Sequence, residues 1–197
     1  MENLSQMLAI PFFVIAILSL VIYLQGLMKA TSAYIPNANT WLIWVLADIL
    51  NVYTYSDVVH GEISAMIFPY VELAGAISIF VFCAYKKKFK RPDSSELFIF
   101  VSLIALSITA VFTENESLIN LALQFLYIVG FMPTIKGIRS GENVENVFSY
   151  ILSIVAILFF IGSIATDPQS DWEAFVSPVV FIIGDILVIF VSLKKEK

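Results

Sequence analysis

The residues best placed to do chemistry lie in one stretch, Thr40 to Tyr55, TWLIWVLADILNVYTY. It is apolar enough to cross a membrane, yet it holds Asp48 near its middle and Asn51 one turn later. On a helix at about 100° per residue, Trp41, Trp44, Asp48, Asn51 and Tyr55 share one face within roughly 80° of arc. The opposite face is Leu42, Val45, Ile49 and Val52. A carboxylate at bilayer depth is costly unless it meets a partner or a watery cavity. The polar face is therefore expected to point inward, toward a site between helices. There Asp48 would bind a substrate or carry a proton. The alternative is a buried acid hydrogen-bonded to a neighbouring helix for packing, and the expense of an intramembrane acid favours the functional role. Asn51 either shares the ligand or joins two helices. Trp44 is deeper than Trp41 and on the Asp48 face, so it offers a stacking wall for a flat ligand or sugar. Trp41 fits an interfacial aromatic belt.

Two further acids fall within apolar runs, Glu72 just after Pro69 and Asp185 just after Gly184. No Lys or Arg lies inside any of these runs. That pattern favours protonated acids, or a ligand that is cationic or hydroxyl-rich. Each acid could instead face water in a vestibule. Tyr53, Tyr70 and Tyr150 could each line a site or sit in the aromatic belt, and Trp172 reads as an interface anchor. Pro69, Pro133 and Pro178 lie within apolar runs and are expected to bend them, as hinges or as static kinks. His60, Asp57 and Glu62 are too sparse for a metal site, and Asn115-Glu116-Ser117 matches a glycosylation sequon only weakly. There is no nucleotide fingerprint, metal-ligand cluster or nucleophile elbow. No catalytic residue, metal or cofactor is expected.

These residues need elements to hold them. The chain is 59% hydrophobic and 14% charged, with mean hydropathy +0.90. A soluble domain is about 45–50% apolar and about 25% charged, so an integral membrane protein is expected. The lone cysteine, Cys83, sits in an apolar run and excludes a disulfide within the chain. The start, MENLSQM, lacks the basic residues of a signal peptide. Seven runs approach the ~20 residues that a spanning helix needs. They are Met7–Met28, Thr40–Ser56, Ser64–Tyr85, Ser95–Thr113, Ser117–Ile135, Val147–Thr166 and Ala174–Leu193. Asp93 with Glu96 predicts a capping box for span four, Asn39 or Thr40 a cap for span two, and Asn146 a cap for span six.

The loops sort by charge. Lys29, then Lys86 to Arg91, then Lys136 and Arg139, then Lys194, Lys195 and Lys197 hold all of the Lys and Arg. The alternate loops hold acids: Asp57 and Glu62, Glu114 and Glu116, then Asp167, Asp171 and Glu173. The positive-inside rule then puts the N-terminus outside and the C-terminus inside, as an odd number of spans requires. KKKFKR could bind lipid or nucleic acid, but its placement makes a topology signal the better reading, and no nucleic acid is expected.

The chain also repeats itself. An offset of 107 superposes Lys29 on Lys136 and Asn39 on Asn146; an offset of 109 superposes Pro69 on Pro178, Gly75 on Gly184 and Lys86 on Lys195. The expected architecture is all-α and polytopic: seven transmembrane helices as two parallel three-helix repeats joined by a linker helix. The divisions fall at 1–92, 93–114 and 115–197, and the repeat axis runs along the membrane normal.

This arrangement resembles the SWEET and PQ-loop superfamily of transporters, which includes the vitamin-transporting PnuC proteins. The family's mark is Pro-Gln near the inner end of the first helix of each repeat. Here Pro133-Thr134 stands at that place in span five, within FMPTIKGIRSGENVEN, and Gly26 of LQGLMK stands at the aligned place in span one. The chain is also similar to small bacterial membrane proteins with Trp-x-x-Trp in span two and Pro-Thr-Ile before a Glu-containing loop. The resemblance implies a substrate path between the halves, proline hinges and a bacterial inner-membrane location. The expected function is transport of a small polar solute, sugar-like or vitamin-like, by alternating access. Asp48, Asn51, Trp44, Glu72, Asp185 and Tyr150 are the expected binding residues. The partners are the lipid bilayer and the solute, and a homo-oligomer is compatible with the chain. The alternative is a membrane receptor or assembly factor on the same fold, with its polar groups in one vestibule rather than at mid-depth.

Overall fold

The structure, a computed structural model, describes residues 2–29, 36–60, 62–113, 115–142, 145–167 and 170–195; Glu114 and Lys197, read above as loop charges, lie outside the described residues. The fold is all-α, with helices α1 Glu2–Lys29, α2 Ala38–Val58, α3 Ile63–Tyr85, α4 Ser94–Phe112, α5 Glu116–Ser140, α6 Val147–Ala165 and α7 Val176–Lys195. A 3-10 turn, Trp172–Phe175, leads into α7. Among the described residues six of these helices are long and apolar enough to cross a membrane, as a multi-pass membrane protein requires.

The exception is α2, one of the seven expected spans. Its buried side carries polar groups among apolar ones, with Thr40, Asp48, Asn51 and Thr54 all enclosed. It packs against α3, α5 and α4, so protein rather than lipid surrounds much of it. A helix sheltered in this way can hold polar groups that a lipid-facing helix cannot. By contrast α4 turns Phe98, Val101, Ile104, Ile108 and Val111 outward, as a lipid-facing surface should.

Helix α3 packs against both α1 and α2, and α7 packs against both α5 and α6. The two trios meet where α1 lies along α6 and where α2 lies along α5. These contacts close a ring in the order α1, α3, α2, α5, α7, α6. Helix α4 stands outside it, against α2 and α5. Small residues let α1 and α6 approach: Ser5 and Ser163 hydroxyls are 3.1 Å apart, and Ser19 donates to the Ser149 carbonyl at 2.8 Å. Hydrogen bonds and small side chains replace the hydrophobic effect as the glue between helices in lipid.

The helix ends follow local rules, with one correction. Asn146 caps α6 by accepting from the Phe148 and Ser149 amides. The cap of α2 is Asn37, rather than Asn39 or Thr40. Those two side chains are already engaged: Asn39 Nδ2 donates to the Lys90 carbonyl, and Thr40 Oγ1 donates to Glu96 at 2.5 Å. Asp93 and Glu96 form the expected capping box on α4. Helix α5 runs through Pro133 to Ser140 and stops at Gly141, whose φ of 82° is the left-handed conformation that glycine adopts without strain.

Asp93 also accepts from Lys136 Nζ at 2.6 Å. That bond, with those from the Ser95 hydroxyl and the Glu96 amide, holds the Asp93 carboxyl well below the usual carboxylate range. A carboxylate depressed in the folded state stabilises fully above its ordinary value, about 3.9, and loses that contribution as the pH falls below it. Asp93→Ala is therefore expected to cost about 1 kcal/mol near neutral pH, the usual loss of a helix cap. The gap between wild type and variant should close below about pH 4. Thermal unfolding in nanodiscs across that range checks it; a gap that stays constant with pH would assign the effect to packing alone.

Candidate functional site

The ring encloses a cavity of about 150 Å³, room for several water molecules or a small solute. All six ring helices line it: Ser19 and Tyr23 from α1, Trp41, Trp44 and Asp48 from α2, Glu72 and Gly75 from α3, Phe131 and Thr134 from α5, Tyr150 and Ser153 from α6, Phe181 and Asp185 from α7. Tyr23, Trp41, Ile79, Thr134 and Ser149 lie within about two turns of the helix ends that carry the basic residues. The acids lie deeper.

Trp44, Asp48, Glu72, Tyr150 and Asp185, expected from the sequence to bind a solute, thus come together around one space. Asp48 is 2% exposed and accepts from the Tyr127 hydroxyl of α5 at 2.6 Å. Asp185 is 5% exposed, with Ser153 as its hydrogen-bonding neighbour. Tyr150 donates at 3.1 Å to Glu145, which lies buried in the loop before α6. Burial pushes the Glu145 carboxyl up from its ordinary value. Trp41 lines the cavity and meets Tyr23 at 6.0 Å between ring centroids, so it belongs to this wall rather than to a lipid-facing belt.

A connected aromatic layer borders the cavity. Every ring helix contributes to it: Phe12, Trp44, Phe68, Tyr127 with Phe131, Phe160 and Phe181. Phe68 stacks on Phe160 at 4.8 Å and meets Phe181 edge-on at 5.5 Å, while Trp44 stacks on Tyr127 at 5.4 Å. Gly130 makes room for Trp44, and Gly184 for Phe131: a β-carbon on Gly184 would stand 2.0 Å from the Phe131 ring.

Asn51 is not at the cavity. It lies one turn beyond Asp48, past the point where α5 closes onto α2. There it joins a buried amide network: Asn120 Nδ2 donates to Asn51 Oδ1 at 3.0 Å and to Thr54 at 2.9 Å, and Gln124 donates to Asn51 and Asn120. Its role is to join α2 to α5. Asn51→Ala is expected to cost about 1 kcal/mol, the scale of interhelical hydrogen bonds in membranes, and to leave solute binding intact. Thermal unfolding and ligand titration of the variant check both; lost binding in a stable variant would return Asn51 to the site.

Pro69 and Pro133 lie inside α3 and α5, and Pro11 lies inside α1 as well. Pro178 falls in the first turn of α7, where a missing amide matters least. The carbonyl it leaves without a donor, that of Ala174, accepts instead from the buried Tyr55 hydroxyl at 2.8 Å. Tyr53, Tyr70, Asp57, His60 and Glu116 line a separate recess toward the acidic loops. Tyr53 donates to Glu116 there at 3.0 Å, and Trp172 is exposed. Among the described residues no cluster of His, Cys, Asp or Glu could hold a metal ion.

Fold and site together define a seven-helix membrane bundle around a cavity whose wall carries three acids. In comparisons with family models, curated proteins and solved structures, nothing matches the chain.

Proposed function

We propose that the protein is a membrane transporter that moves a small polar solute by alternating access between two three-helix repeats. The observation that carries this is a cavity lined by all six ring helices, with Asp48, Glu72 and Asp185 on its wall and an aromatic layer to which each helix contributes beside it. A receptor would keep its polar groups in one open vestibule, whereas these acids lie deep between the trios.

The repeat reading draws support from the packing. In each trio the third helix lies between the first two, and the α1 to α6 seam has its counterpart in the α5 to α2 seam. A parallel repeat along the membrane normal relates α1, α2, α3 to α5, α6, α7 and leaves α4 as the linker. The charge sorting supports an N-terminus outside and a cavity toward the cytoplasm, and the family resemblance supports a bacterial inner membrane. Rocking the trios would open the aromatic layer and close the basic end, with bends at Pro69 and Pro133 available to the motion.

The test is a metabolite panel on the purified full chain: first thermal stabilisation, because a specific ligand raises stability by mass action, then uptake of each hit into proteoliposomes. Uptake that saturates with solute supports transport. A solute that binds and never crosses would make the protein a receptor. Labelling of a cysteine at position 90 from the cytoplasmic side checks the orientation.

A further inference from the structure

The cavity is lined by acids and by no base. Three carboxylates line it, Asp48, Glu72 and Asp185, with no Lys, Arg or His among the lining residues. One Asp48 oxygen is taken by Tyr127. Ser19, a donor that could have served a ligand, is spent on the Ser149 carbonyl. Asp185 is 5% exposed, yet its Oδ2 has no hydrogen-bond partner. A buried acceptor left without a donor is costly, so a ligand that donates there gains more than its own hydrogen bond.

The three acids stand on α2, α3 and α7, on separate walls, and among the described residues they form no group able to clasp a single metal ion. Separated carboxylates suit an organic cation with charge or N–H groups spread along its length. Trp41, Trp44, Tyr23 and Tyr150 supply aromatic surface to the same cavity, which attracts a cation through the ring quadrupole.

Resting on the reading of this cavity as a solute site, we propose that its ligand is a small primary organic ammonium ion, with Asp185 Oδ2 as an N–H acceptor and Glu72 as a second anionic wall. The chemistry needed is a protonated amine with N–H donors, which a quaternary ammonium lacks.

The probe is 1,4-diaminobutane, titrated calorimetrically onto the full chain in nanodiscs of zwitterionic lipid, with 1,4-butanediol, choline and glucose as comparators. The diamine is expected to bind, the diol and glucose to give no heat, and choline to bind more weakly. Asp185→Asn and Glu72→Gln should each weaken the diamine by roughly thirtyfold or more, the scale of removing one partner of a desolvated charge pair. The two variants lie on different walls, so if one fails to fold the other decides. Binding of glucose or the diol in place of the diamine overturns the proposal, as does unchanged diamine affinity in a folded variant. Uptake into proteoliposomes separates the two readings. A neutral solute that is carried would defeat the cation and leave transport standing. A diamine that binds through Asp185 and Glu72 and never crosses would support the cation and defeat transport.

Discussion

Asp48→Asn is expected to abolish solute uptake in proteoliposomes while the chain keeps its fold. The substitution is nearly isosteric, and the amide oxygen can still accept from the Tyr127 hydroxyl that now bonds Asp48 Oδ1 at 2.6 Å. What disappears is a charge, or a proton-carrying group, at a position 2% exposed and deep in the bundle. Losing a desolvated charged partner should lower uptake by about a hundredfold or more. Stability should hold or rise, because a buried charge is replaced by a neutral group of the same shape. Uptake and thermal unfolding of the two proteins, measured side by side, decide it. Unchanged uptake would reduce Asp48 to a packing residue. Lost uptake with a collapsed fold would assign Asp48 a structural role rather than a part in transport.

The largest effect on stability is expected at Gly184. A β-carbon there would stand 2.0 Å from the Phe131 ring, and Phe131 is wedged against Trp44 and Phe181 with ring centroids 5.0 and 6.5 Å away. The ring must swing into Trp44 and Phe181 or into the cavity it lines, so Gly184→Ala should cost about 1–3 kcal/mol and lower the unfolding temperature by roughly 3–10 °C. Adding Phe131→Leu should restore most of that loss. The position that matches Gly184 in the first half behaves differently: a β-carbon on Gly75 meets only Leu20, at 3.9 Å, beside the cavity. Gly75→Ala should leave the melting temperature nearly unchanged. Equal losses at the two glycines would mean that the packing around them is alike, contrary to the geometry.

Much of this was legible in the residues. Apolar runs located the helices, and the inward stripe on α2 found Trp44 and Asp48, because an acid in a membrane helix has few tolerable surroundings. The same stripe misplaced Asn51. A helical face has no depth resolution, and this one crosses from the cavity to the α5 seam within a single turn. The partner stripe on α5, Asn120, Gln124, Tyr127, Phe131 and Thr134, has helical spacing too. It was overlooked because neutral amides and a tyrosine raise no alarm beside a buried carboxylate. The placing of α3 and α7 between their neighbours left no mark in the sequence. In lipid every apolar face is equally at home, so hydropathy does not say which helices touch.

The polarity of α2 has a consequence for how the protein is made. A helix carrying Asp48, Asn51 and Thr54 partitions poorly into lipid by itself. Its partners Asn120, Gln124 and Tyr127 belong to α5, which the ribosome delivers only after α3 and α4. Through that interval α2 must wait beside the insertion machinery, or be sheltered by α3, with its amides unmatched. Membrane integration of this chain is therefore a cooperative event completed by its fifth helix, not a succession of independent insertions.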